Sequence, residues 1–143
     1  MTNIDFYILP DEAVQQRYLF ACRLVEKAFR LGHHIYIHGD QPQQIEIIDQ
    51  LLWSYKSSSF IPHSAEQTAG DSQVLLGCGD GENTHNDLLV NLSSTVPEFF
   101  SRFKRVSEIV IKDPAVTAST RENYRFYRDR GYPLKSHQLR STS

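Results

Sequence analysis

Apolar and polar positions alternate between two periods along the chain. Ile4 to Leu9 (IDFYIL) is a short β-rich run closed by Pro10, with Asp11 placed to cap the element that follows. From Asp11 to Leu31 the apolar positions Val14, Tyr18, Ala21, Cys22, Val25 and Phe29 recur every three or four residues. That spacing predicts a long amphipathic helix, which Gly32 stops. HIYIH (34–38) reads as a second strand, and Ile45, Ile48, Leu51 and Leu52 predict a second helix ending near Trp53.

Residues 54–72 are polar and serine-rich, interrupted by SFIPH (59–63), and read as a long loop containing an apolar cluster. QVLLG (73–77) and DLLVNL (87–92) read as strands around the turn-rich GCGDGENTHN, either a hairpin-like excursion or a mobile loop. VPEFFSRF (96–103) predicts a short helix, SEIVIK (107–112) a last strand and 114–130 a last helix, with HQLRSTS as a disordered tail. Strands alternating with helices imply one α/β domain over residues 1–138, a largely parallel sheet of about five strands flanked by helices, with 139–143 as tail.

At 143 residues and 40% apolar content the chain is long enough to bury a core without metals or disulfides. Cys22 and Cys78 stand in unrelated contexts with no CxxC, and no segment approaches the roughly 18 apolar residues of a membrane span, so a reduced cytoplasmic protein is expected. Charge changes the picture more. Residues 1–101 hold 5 Lys+Arg against 13 Asp+Glu, and residues 102–143 hold 10 against 4.

A strand-helix-strand opening invites a nucleotide reading, but its first turn, LPDEA, has no glycine and two carboxylates, so phosphate would meet like charge. GCGDGE is neither GxGxxG nor a Walker sequence, and a plain turn is expected there. The histidines 33, 34, 38, 63, 85 and 137, taken with Cys78, match no metal-ligand spacing. The acids near Cys78 would raise its pKa rather than activate it. No cofactor, metal or catalytic residue is therefore expected. A small α/β enzyme using the 77–87 loop stays as an alternative on fold analogy alone.

The basic charge concentrates in RENYRFYRDRGYPL (121–134), with four arginines and four rings in its first twelve positions. On a helix Arg121, Tyr124, Arg125 and Arg128 form one stripe, while Val116, Thr120 and Tyr127 turn to the core. The ordinary reading is a solvated basic face. The acidity of the rest of the chain and the mutual repulsion of three arginines point instead to an anionic partner. Single-stranded nucleic acid and an acidic peptide both suit guanidinium and ring surface, and the acidic remainder of the chain favours the peptide. A second patch combines Trp53 with Phe60, Ile61 and Pro62. Taken alone, Trp53 and Phe60 read first as core residues, but a loop that places an aromatic beside a proline is how interface anchors look, so a second partner surface is expected.

In order, IDFYIL, FACRLVEKAFRLGHHIYIH, LLWSYKSSSFIPH, DLLVNL, VPEFFSRFKRVSEIV and RENYRFYRDRGYPL resemble the chi subunit of bacterial DNA polymerase III holoenzyme, over about residues 4–138. The LW…SFIPH pair and the closing R-x-x-Y-R-x-Y-R-x-x-G-Y are the specific signals. The resemblance implies a non-catalytic clamp-loader accessory protein of Rossmann-like fold with no nucleotide site. It implies two partners, the psi subunit and the acidic C-terminal tail of single-stranded DNA-binding protein. Trp53 and Phe60 would anchor psi, with Ile61, Pro62 and His63 as neighbours. Arg121, Tyr124 and Arg125 would hold the tail, with Arg128 added on helical geometry. The tail offers aspartates and a terminal phenylalanine, whose binding at about micromolar affinity would suit reversible contact. Asn123 and the TAST run at 117–120 stand where more positive charge is expected, which implies a weaker or differently shaped patch.

Overall fold

The computed structural model describes residues 1–54, 64–65, 73–79 and 85–140. The elements run β1 (Asn3–Ile8), α1 (Val14–Arg30), β2 (Ile35–His38), α2 (Pro42–Ser54), β3 (Ser64–Ala65), β4 (Val74–Gly77), β5 (Leu88–Asn91), β6 (Arg105–Val110), α3 (Pro114–Asp129) and β7 (Leu134–Gln138). Every strand pairing is parallel, in the order β3-β4-β2-β5-β6-β1-β7.

The α/β expectation holds, with more strands than the five foreseen: six strands and the two-residue β3 at one edge. A sheet covered on both faces needs apolar side chains on both. β2, β4 and β5 are accordingly buried throughout. Alternate residues feed two cores. Ile35, Ile37, Val74, Leu76, Val90 and Ile109 pack with α1 and α2, and Ile4, Phe6, Tyr36, Leu89 and Val106 pack with Tyr127 of α3. Cys22 lies inside the first core, and burial pushes its thiol up to about 12, whereas Cys78 is exposed.

Several boundaries differ from the sequence reading. Asp11 does not cap α1, which begins at Val14 after Ala13 with no side-chain cap; the Asp11 carbonyl instead accepts the Lys112 N–H at 2.8 Å. Gly32 ends that helix as expected, with φ of 87°. β4 and β5 form no hairpin, because β2 lies between them and pairs with both. The short helix foreseen over 96–103 reduces to one 3-10 turn, Phe100–Arg102. His137 and Gln138, read as the start of a tail, belong to β7, and the Leu139 N–H bonds to the Ile8 carbonyl at 2.9 Å. With one apolar residue in five, β7 carries no strand signal; it is polar because it is an edge, where lysine discourages further pairing. Residues 141–143 lie outside the described residues.

Candidate protein-binding surfaces

Asp113 opens α3, its carboxylate accepting from the N–H groups of Ala115 and Val116 at 3.0 and 3.1 Å, with Pro114 in the first turn. At the other end Gly131, with φ of 79°, supplies the left-handed turn that delivers the chain to β7. The helix thus has two defined ends, and its rotation decides what it shows to solvent. Thr120, Asn123 and Tyr127 are buried, and Val116 is half-buried against the core. Arg121, Tyr124, Arg125 and Arg128 are all exposed, so the structure brings the four stripe residues to one outward face.

The stripe is less self-repelling than its sequence implies. Arg125 is paired with Glu122, and Arg128 with Asp129 at 3.1 Å. Both pairs are exposed, so each contributes little and exchanges readily. Among the described residues Arg121 forms no ion pair, which makes it the cation most available to an incoming anion. Tyr124 is 37% exposed, its ring 5.2 Å from that of Phe6 in β1. The other rings of this stretch are structural. Tyr127 is fully buried, and Phe126, Tyr127 and Tyr132 all meet Phe100 edge-on, at 5.6, 5.4 and 5.0 Å. Arg130 stacks over Phe126, 3.6 Å from the ring centre.

Asn123 is no gap in the basic patch. It points into the fold, where its Nδ2 donates to Glu108 at 3.3 Å. Thr117 and Thr120 likewise spend their hydroxyls on carbonyls, of Ile111 at 3.1 Å and Val116 at 2.6 Å. At the buried positions 120 and 123 a charge would not reach the surface. Glu108, 1% exposed, also accepts from Tyr127 OH at 2.7 Å and Asn91 Nδ2 at 2.8 Å. Burial raises its pKa, against the pull of these donors and of the charge on Arg17. Burial and the Glu108 charge push the Tyr127 phenol far above its ordinary value. Arg17 is itself buried and bonded to the carbonyls of Ile109 (2.8 Å) and Leu92 (3.4 Å). The sequence held a signal for this network, since Glu108 shares the inward face of its strand with Val106 and Val110.

Trp53 stands in the last turn of α2 and is 50% exposed, so it is not a core residue. Ile47, six residues earlier on the same helix, is also exposed. Phe60, Ile61, Pro62 and His63 lie outside the described residues. Trp53 and the α3 stripe are carried by different elements, on helices that cover opposite faces of the sheet.

Of the 77–87 loop, residues 80–84 lie outside the described residues. His85 is buried rather than solvated, its ring 5.1 Å from His34 and its carbonyl accepting from Arg102 at 3.3 Å. Asp87 accepts the His34 backbone N–H at 3.0 Å, which lowers its pKa. Among the described residues no three His, Cys, Asp or Glu side chains gather as a metal site. None of the described helices is long and apolar enough to cross a membrane. A cavity of about 540 Å³ opens between the end of α1 and the start of β6, lined by Tyr7, Leu24, Lys27, Lys104 and Arg105 among others. His33 and Asp87, from the histidine set and the 77–87 loop singled out in the sequence, also line it, but none of the expected partner-binding residues does.

Comparison with known proteins places these features in context. A family model described as DNA polymerase III chi subunit, HolC, matches residues 1–135. The chain is 43% identical over 140 residues to the DNA polymerase III subunit chi of Pseudomonas aeruginosa, covering 97% of this chain and 98% of that protein. It is 29% identical over 138 residues to the subunit chi of Haemophilus influenzae, covering 94% and 96%. Against the subunit chi of Escherichia coli it is 25% identical over 146 residues, covering 95% and 97%.

Proposed function

The chain belongs to the DNA polymerase III chi subunit family, a non-catalytic part of the polymerase, and from that premise we propose that it bridges two proteins at the replication fork. One is the psi subunit, which tethers it to the clamp loader in the cytoplasm. The other is the acidic C-terminal tail of single-stranded DNA-binding protein. The observation that carries this reading is the outward stripe of α3, in which Arg121, Tyr124, Arg125 and Arg128 are exposed together on a helix fixed at both ends.

The stripe is a compact match for a short peptide rather than a long polyanion. Planar guanidinium groups bind carboxylates through two parallel hydrogen bonds, and a half-exposed tyrosine offers a ring against which another ring can pack. Trp53, with Phe60, Ile61, Pro62 and His63, forms the psi-facing patch in this proposal. Because Trp53 and the stripe lie on different helices, both partners can be held at once.

A pull-down with the immobilised chain tests the assignment. Single-stranded DNA-binding protein is expected to be retained, its version lacking the last residues of the tail to pass through, and psi to be retained in either case. Retention of a bare oligonucleotide in place of the protein would favour direct nucleic-acid binding instead.

A further inference from the structure

The network around Glu108 ties α3 to the sheet at one point. On an α-helix successive residues are about 100° apart. Asn123 and Tyr127 therefore share the inward face, and Arg121, Arg125 and Arg128 lie on the far side of the axis. Apolar packing of Tyr127 against Phe6 and Phe100 gives the helix attraction without direction, since dispersion and area burial are indifferent to small rotations. Hydrogen bonds are directional. Glu108 Oε1 takes Asn123 Nδ2 at 3.3 Å, and Oε2 takes both Tyr127 OH at 2.7 Å and Asn91 Nδ2 at 2.8 Å. Asn91 is held in turn on β5, its Oδ1 accepting the Ser93 N–H at 3.2 Å. Two bonds one helical turn apart, converging on one rigid carboxylate, leave α3 a single rotation that satisfies both.

We propose that Glu108 is a positioning residue for the outward face of α3: its carboxylate fixes the helix's rotation and so the direction in which Arg121, Tyr124, Arg125 and Arg128 project. This rests on the reading of that face as the tail site. Burial of the carboxylate, with donors on all sides, makes the lock costly to leave half-made, because any group that loses its partner stays out of water.

Glu108→Gln keeps the shape but puts an N–H where a carboxylate oxygen accepted, so Asn91 or Asn123 has to turn its amide over, or Tyr127 reverse its hydroxyl, or a donor is left facing a donor. Affinity for a synthetic acidic peptide ending in phenylalanine is expected to fall about three- to tenfold at a temperature where the variant is fully folded, with psi binding unchanged. Arg121→Ala should then cost less in the Glu108→Gln background than in the parent, a coupling that a merely structural residue would not produce. Residual dipolar couplings along α3 read its rotation without any peptide, and they should change in Glu108→Gln. Tyr127→Phe and Asn123→Ala, which each remove one donor, should give smaller changes of the same kind and serve if the first variant does not fold. Unchanged couplings along α3, or equal weakening of peptide and psi binding, overturns the inference. If instead Arg121→Ala leaves peptide binding intact while the couplings respond, the lock stands and it is the tail-site reading that fails.

Discussion

Replacing Arg121 by alanine is expected to weaken binding of the single-stranded DNA-binding protein tail by about ten- to a hundredfold, the loss of charge-assisted hydrogen bonds worth roughly 1.5 to 3 kcal/mol. Of the three stripe arginines it alone forms no ion pair among the described residues, so a carboxylate reaching it displaces no existing pair. Arg125 and Arg128 must first release Glu122 and Asp129, and their alanine variants should cost less. Arg121→Lys should recover only part of the loss, since a point charge does not reproduce the planar fork. The surface is solvent-exposed, so affinity should also fall as salt rises. Isothermal titration calorimetry with the full tail peptide, and with one lacking its final phenylalanine, measures each effect. Unaltered binding by Arg121→Ala, or indifference to the missing phenylalanine, would leave the stripe an ordinary solvated face.

The second large effect falls on the other surface. Trp53→Ala should weaken psi binding by roughly thirtyfold or more, the scale of about 2 kcal/mol or above at which a buried interface tryptophan acts as an anchor. The ring is half-exposed in the isolated chain, so the fold should lose little when it is removed. Tail affinity should stay at the parental value. Surface plasmon resonance against psi, with a thermal melt as control, separates lost contact from lost fold; an unchanged psi affinity removes Trp53 from the interface.

The legible parts of the molecule were those in which burial and period coincide. α1, α2 and α3 follow the three- and four-residue spacing of their apolar positions, and the stripe on α3 follows from the same geometry. What was hidden obeys other rules. β7 is polar because its outer edge and much of its face meet solvent, so LKSHQ shows no alternation and takes its place only through pairing with β1. Asn123 reads as a break in a basic surface because its side chain is polar. Its burial is set by Glu108, fifteen residues away in sequence, and helical spacing cannot reveal that partner. Phe126 and Tyr132 add to the apparent ring surface of the segment, yet both, like the core-facing Tyr127, pack on Phe100. Composition shows how many rings a segment holds and leaves open which side of the helix they serve.

The central claim is simultaneous occupancy of two surfaces, and one titration addresses it: a fluorescently labelled tail peptide added first to the chain alone and then to its preformed complex with psi, read by anisotropy. Two surfaces on opposite faces of the sheet predict the same affinity in both titrations and a final species containing all three components. Release of psi by the peptide, or a peptide affinity that collapses once psi is bound, would contradict the bridge.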